Sequence, residues 1–93
     1  MKTDNKALLN LGYSLLETSN DDGTPDELIM LHSYSFDEDG LLNVTGVDFS
    51  DFFLKNSGIS ELRSFQSNVL SHIQDSKILN WKFSKNTKFK IMS

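Results

Sequence analysis

The stretch His32-Ser33-Tyr34-Ser35-Phe36-Asp37-Glu38-Asp39-Gly40-Leu41-Leu42-Asn43-Val44-Thr45-Gly46 decides how the chain is read. Apolar and polar residues alternate on both sides of an acid-rich centre containing Gly40, which is the pattern of two half-buried strands around a turn. A three-residue loop with Gly40 in the left-handed conformation pairs Phe36 with Leu42, Tyr34 with Val44 and His32 with Gly46 on one side. Ser35 then meets Asn43, and Ser33 meets Thr45, on the other. A two-residue Asp-Gly turn would pair Phe36 with Asn43 and mix the faces. Because a one-residue slip turns every side chain over, the clean register is the expected one.

Upstream, Ser19 to Pro25 reads as a loop rich in Asn, Asp and Gly. Two readings remain for the residues that follow it. Thr24-Pro25-Asp26-Glu27 fits a capping box that starts a helix at Pro25, while continuity with the hairpin favours a strand. Residues 4–16 carry Ala7, Leu8, Leu11 and Leu15 at helical spacing, with Thr3 as an N-cap, but Gly12 interrupts the pattern. A short helix followed by a strand from Tyr13 is the competing reading.

Downstream, Phe49 to Leu54 reads as a short helical turn that directs Phe52 and Phe53 inward. Ile59, Leu62, Phe65, Val69, Leu70 and Ile73 then follow helical spacing, so one long amphipathic helix is expected over about residues 59–76, capped by Ser57 or Ser60. At the C-terminus a loop of Ser84-Lys85-Asn86 would pair Leu79 with Ile91, Trp81 with Phe89 and Phe83 with Thr87. Asn80 with Lys90 and Lys82 with Lys88 would form the polar side. The expected class is α+β: a small antiparallel sheet of two hairpins, the long helix on its apolar face, and a short N-terminal helix.

With 93 residues, 38% of them apolar, the chain has material for one domain, residues 1–93, and one modest core. The absence of cysteine excludes disulfides, thiolate nucleophiles and cysteine-bound metal. No apolar run approaches the roughly 20 residues of a membrane-spanning helix, and the N-terminal residues do not read as a signal peptide. A cytoplasmic location, with no membrane partner, is expected.

Charge is divided unevenly along the chain. From Ala7 to Leu54 there is no Lys or Arg, and the acids are Glu17, Asp21, Asp22, Asp26, Glu27, Asp37, Glu38, Asp39, Asp48 and Asp51. From Lys77 onward there are lysines at 77, 82, 85, 88 and 90 and no acid, within a net charge of −4. In one reading the acids are ordinary turn chemistry and the two halves neutralise each other across the sheet. In the other, the acidic half attracts a basic surface and speeds its association. Binding of nucleic acid by the basic strands fits poorly. The register buries Trp81, Phe83 and Phe89 away from the lysines, and an acidic protein is repelled by phosphates.

Catalytic and metal motifs are absent from the sequence. Calcium-loop spacing around Gly40 or Gly23 places Gly46 or Ile29 where the closing carboxylate belongs. His32 and His72 have no zinc spacing; His32 falls on the apolar face of its strand and His72 on the outward side of its helix. The five glycines are isolated, and no serine sits in a nucleophile elbow. No cofactor and no enzymatic activity are expected.

The function this pattern favours is a small, acidic, non-catalytic binding protein that inhibits or neutralises a basic protein such as a nuclease or other nucleic-acid-binding effector. Immunity proteins, phage-encoded inhibitors of host defence nucleases and nucleic-acid mimics share this size and charge. The expected contact set is Asp21, Asp22, Asp26, Glu27, Asp37, Glu38, Asp39, Asp48 and Asp51. The alternative is an assembly module that forms homo-oligomers through Phe49, Phe52 and Phe53.

Overall fold

The computed structural model describes residues 5–56 and 61–93. Its elements are α1 (Asn5–Asn10), β1 (Leu15–Ser19), β2 (Pro25–Phe36), β3 (Leu42–Asp48), α2 (Phe52–Lys55), α3 (Leu62–Asp75), β4 (Leu79–Phe83) and β5 (Lys88–Met92). The expected α+β class holds, with a five-stranded antiparallel sheet and α3 as the long helix. Its proposed caps, Ser57 and Ser60, lie outside the described residues, as does Thr3.

At the N-terminus the short helix and following strand are realised. Gly12, at φ +94°, ends α1. Its N–H bonds to the Leu9 carbonyl at 2.9 Å, and that of Tyr13 to the Leu8 carbonyl at 3.4 Å. These two bonds make a Schellman stop, which favours glycine at this position. Pro25 opens β2 rather than a helix. The Asp22 carboxylate accepts from the Thr24 N–H at 2.9 Å and from its hydroxyl at 2.6 Å. Thr24 therefore serves a turn and caps no helix.

Two hairpins share one device. Asn20 donates to the Thr24 carbonyl around Asp21-Asp22-Gly23, and Asp37 donates to the Leu41 carbonyl around Glu38-Asp39-Gly40. Both loops close with glycine in the left-handed region, as three-residue loops require. In the second hairpin Phe36 meets Leu42, Ser35 meets Asn43, Tyr34 meets Val44 and Ser33 meets Thr45, as expected. A bulge between Leu31 and Ser33 then places Leu31, not His32, opposite Gly46. His32 is consequently exposed rather than on the apolar face.

The C-terminal strands depart furthest from expectation. They alternate as predicted, but they do not pair with each other. The strand order is β4-β3-β2-β1-β5. Trp81 lies opposite Val44, and Phe89 opposite Thr18. Four interstrand spacings separate β4 from β5, about 19 Å in a flat sheet. The chain nevertheless joins them through a turn in which the Thr87 N–H reaches the Ser84 carbonyl at 3.1 Å, and such a turn spans less than about 7 Å. Phe36 and Phe89 also meet with ring centroids 6.4 Å apart. Along the sheet, however, Phe89 is level with Thr18, which bonds Glu27, about 30 Å up β2 from Phe36 at the usual strand rise. Only a strongly rolled sheet, a partly closed barrel, satisfies both contacts.

Rolling gives the sheet two apolar faces. Outside, Leu15, Leu28, Met30 and Val47 join Leu8, Phe49, Phe52, Phe53 and Val69, with Phe65 and Ile73 of α3 packed on them. Inside, Leu16, Ile29, Leu42 and Val44 meet Leu31, Trp81 and Phe83. The helices thus cover the convex face, while the hairpin's Tyr34 and Phe36 face turns into the barrel. His72 of α3, expected to point outward, hydrogen-bonds the Asp48 carbonyl at 2.7 Å, and its ring centroid lies 4.4 Å from that of Phe49.

Candidate functional site

The acids follow from the loops and strand ends that hold them, and they separate into two groups at opposite ends of β2. Asp37, Glu38 and Asp39 form the β2–β3 loop. There the Asp37 carboxylate accepts from the Asp39 and Leu41 N–H groups, each at 3.0 Å, and from the Asn43 amide at 3.2 Å. Lys82 reaches it at 3.8 Å, and the Lys85 stem lies over Gly40. The Leu41 N–H is the main cause that holds the Asp37 carboxyl below the usual carboxylate range, and the Asn43, Asp39 and Lys82 donors add to it. This group is built into its turn and partly neutralised.

Asp21 and Asp22 stand in the β1–β2 loop, where the Thr24 hydroxyl, and then the Thr24 N–H, keep the Asp22 carboxyl low. Lys88 touches the Asp21 backbone carbonyl at 3.5 Å. Asp26 and Glu27 begin β2. Asp48 ends β3, where it accepts from the Ser50 N–H at 2.9 Å, and Asp51 precedes α2. A cleft of about 390 Å³ opens between the first loop and the β4–β5 turn, lined among others by Asn20, Asp21, Asp26, Ser84 and Lys88.

Glu27 differs from the other acids. Burial pushes its carboxyl above the ordinary range, and the charges of Asp26 and Asp48 push it further; the Trp81 indole acts in the opposite sense. A raised carboxyl favours the protonated folded state. Glu27 therefore adds nothing adverse at acid pH and disfavours folding as pH rises through and above the usual carboxylate range. Glu27→Gln is expected to stabilise the protein at neutral pH by about 0.5 kcal/mol, the scale of a screened surface charge. The gain should vanish at a pH where Glu27 is protonated in both states. Thermal melts of both proteins across pH check this; an equal gain at every pH would refute it.

Two ion pairs join described residues: Lys82 with Asp37, and Lys90 with Glu17 at 3.4 Å. Glu17 is buried and also accepts from the Asn5 amide at 2.9 Å. The basic C-terminal half thus neutralises part of the acidic half. Among the described residues, no lysine pairs with Asp26 or Asp48 in this way.

Phe49, Phe52 and Phe53 are buried in the convex core. In this packing they leave little surface on which an interface could form. The apolar side chains that do reach solvent on the sheet are Tyr34, Phe36, Leu79, Phe89 and Ile91. The sequence pattern hid them, because pairing β4 with β5 would have buried the last three.

Among the described residues no group of three or more His, Cys, Asp or Glu is placed to hold a metal ion, and no helix is long and apolar enough to cross a membrane. Comparison with protein-family models, curated proteins and solved structures finds no match.

Proposed function

We propose that this is a non-catalytic, cytoplasmic binding protein that neutralises a basic protein partner, taking that partner's lysine or arginine side chains at the Asp26–Glu27–Asp48 end of the barrel. The observation that carries the reading is the grouping of three acids at one end of the sheet: Asp26 and Glu27 near the start of β2, and Asp48 paired with Ile29 two residues further on, while Lys82 and Lys90 are engaged elsewhere; burial first, and then repulsion from Asp26 and Asp48, hold the Glu27 carboxyl high. An incoming cation removes that repulsion, so its binding energy includes relief of a cost already present in the free protein. Asp21, Asp22 and Asp51 extend the negative field around this centre and steer association. A basic nuclease or nucleic-acid-binding effector has the surface that such a field attracts. Asp37, Glu38 and Asp39 lie at the far end of β2 and contribute less, since Lys82 and Lys85 already cover their loop.

The test compares three immobilised proteins in the lysate of the source organism at low and high salt: wild type, Asp26→Lys/Glu27→Lys/Asp48→Lys, and Glu38→Lys/Asp39→Lys. Wild type and the loop variant are expected to retain the same basic protein, more weakly as salt rises. The triple variant should bind it more than about 10-fold more weakly, since close interfacial charge pairs couple by about 1.5 kcal/mol or more. Equal retention by all three, or retention indifferent to salt, would refute the assignment.

A further inference from the structure

Two hairpin loops share one backbone frame and differ in how a carboxylate is held. The β1–β2 loop, Asn20-Asp21-Asp22-Gly23-Thr24, and the β2–β3 loop, Asp37-Glu38-Asp39-Gly40-Leu41, each set an aspartate directly before a glycine. Both glycines are left-handed, at φ +85° and +79°. Both glycine N–H groups are engaged in the turn, Gly23 with the Asn20 carbonyl at 2.9 Å and Gly40 with the Asp37 carbonyl at 3.0 Å. The backbone therefore treats the two aspartates alike.

Their side chains have different fates. The Asp22 carboxylate is held on Thr24, accepting from its N–H at 2.9 Å and its hydroxyl at 2.6 Å. Leu41 stands where Thr24 stands, but it has no hydroxyl, and its N–H goes to the Asp37 carboxylate at 3.0 Å. Asp39 is exposed, and among the described residues its carboxylate takes no hydrogen bond and no ion pair.

We propose that Asp39–Gly40 is a site of spontaneous backbone modification, isomerising to isoaspartate with water as the only reactant, and that Thr24 protects Asp22–Gly23 from the same change. The Gly40 nitrogen attacks the Asp39 side-chain carboxyl carbon. A C–N bond forms, the C–OH bond of the protonated carboxyl breaks, and the nitrogen's proton leaves with the hydroxyl as water. Glycine has no Cβ to obstruct the approach. Water then opens the five-membered imide at either carbonyl, restoring aspartate or leaving the chain linked through the side-chain carbon. The net change is an isomerisation with no gain or loss of mass. At Asp22 the carboxyl must first leave Thr24, which also keeps it low and so ionised, the form from which hydroxide leaves poorly. The site lies at the far end of β2 from Asp26, Glu27 and Asp48, so the inference stands apart from the proposed function.

The product lengthens the loop by one main-chain carbon. The bonds that close it, from the Asp37 N–H to the Leu41 carbonyl and from the Gly40 and Leu41 N–H groups to Asp37, fit a three-residue loop. Modified molecules should therefore melt below unmodified ones.

The test ages the folded protein at neutral pH and follows both sites by peptide mapping. A glutamate-specific protease cuts after Glu17, Glu27, Glu38 and Glu61, which separates the two sites onto peptides 18–27 and 39–61. Isoaspartate is expected at Asp39 at least about fivefold faster than at Asp22, the factor set by losing one hydrogen bond of ordinary net strength. Thr24→Val should speed the change at Asp22 and leave Asp39 as it was. In urea the two sites should react at similar rates, because the fold imposes the difference. Equal rates in the folded protein, no isoaspartate at Asp39 while both sites react in urea, or a difference that persists in urea would each overturn the proposal.

Discussion

Phe52→Ala is expected to cost about 3–5 kcal/mol, the range for truncating a buried phenylalanine without collapse of the cavity. Phe52 is fully buried. Its ring centroid lies 5.0 Å from Phe49, 5.3 Å from Phe53, 5.9 Å from Phe65 and 5.4 Å from His72. These partners come from β3's end, α2 and α3, so the ring joins the helical excursion to the convex face. The loss compares with a total stability of about 5–15 kcal/mol, and a small core lies toward the low end. Chemical denaturation should show a midpoint shifted far down, or no folded baseline. A variant within about 1 kcal/mol of wild type would mean that α2 and α3 pack elsewhere. Phe52→Leu, which keeps most of the volume, should recover much of the loss.

Gly46→Ala is expected to cost about 3 kcal/mol, the upper end for overpacking, although it adds one methyl group. A Cβ at Gly46 would fall on the Met30 carbonyl oxygen and 2.8 Å from the Ile29 Cγ2 atom. The first obstacle is backbone, so no rotamer change relieves it. Gly46 pairs with Leu31 beside the bulge in β2, where the strands approach closely; glycine in a strand marks such a site. Relief requires β3 to separate from β2 there, which would weaken both the Leu31–Gly46 and the Gly46–Leu79 pairings. Hydrogen exchange should rise first at Met30, Leu31 and residues 45–47. If Gly46→Ala melts with wild type, the close approach does not exist.

Burying a carboxylate near like charges, as at Glu27, is a departure from the most stable arrangement. The departure is local, and a cation bound at that end would relieve it. Proteins depart from local consistency most often at functional places, which is why this position, rather than the loop acids as a class, carries the proposed function.

Reading the chain by itself determined what short-range rules govern. Alternation around Asp37–Gly40 set the β2–β3 register, because a slip would expose Leu42 and Val44. Helical spacing located α3, and the inward turn of Phe52 and Phe53 followed from their place before it. The repeated pattern Asn20-Asp21-Asp22-Gly23 and Asp37-Glu38-Asp39-Gly40 was a further legible signal, since both segments form the same loop. It would have removed the helical reading of Pro25. The charge split was equally visible, but its meaning was not. Which acids Lys82 and Lys90 neutralise depends on strands distant in sequence. Tertiary structure alone decided the neighbours of β4 and β5, the bulge that turned His32 outward, and the presence of two apolar faces. The physical reason is the same in each case. Alternation tells a strand which of its faces is apolar, whereas its neighbour is chosen by the curvature of the whole sheet and by the apolar area that closing it buries.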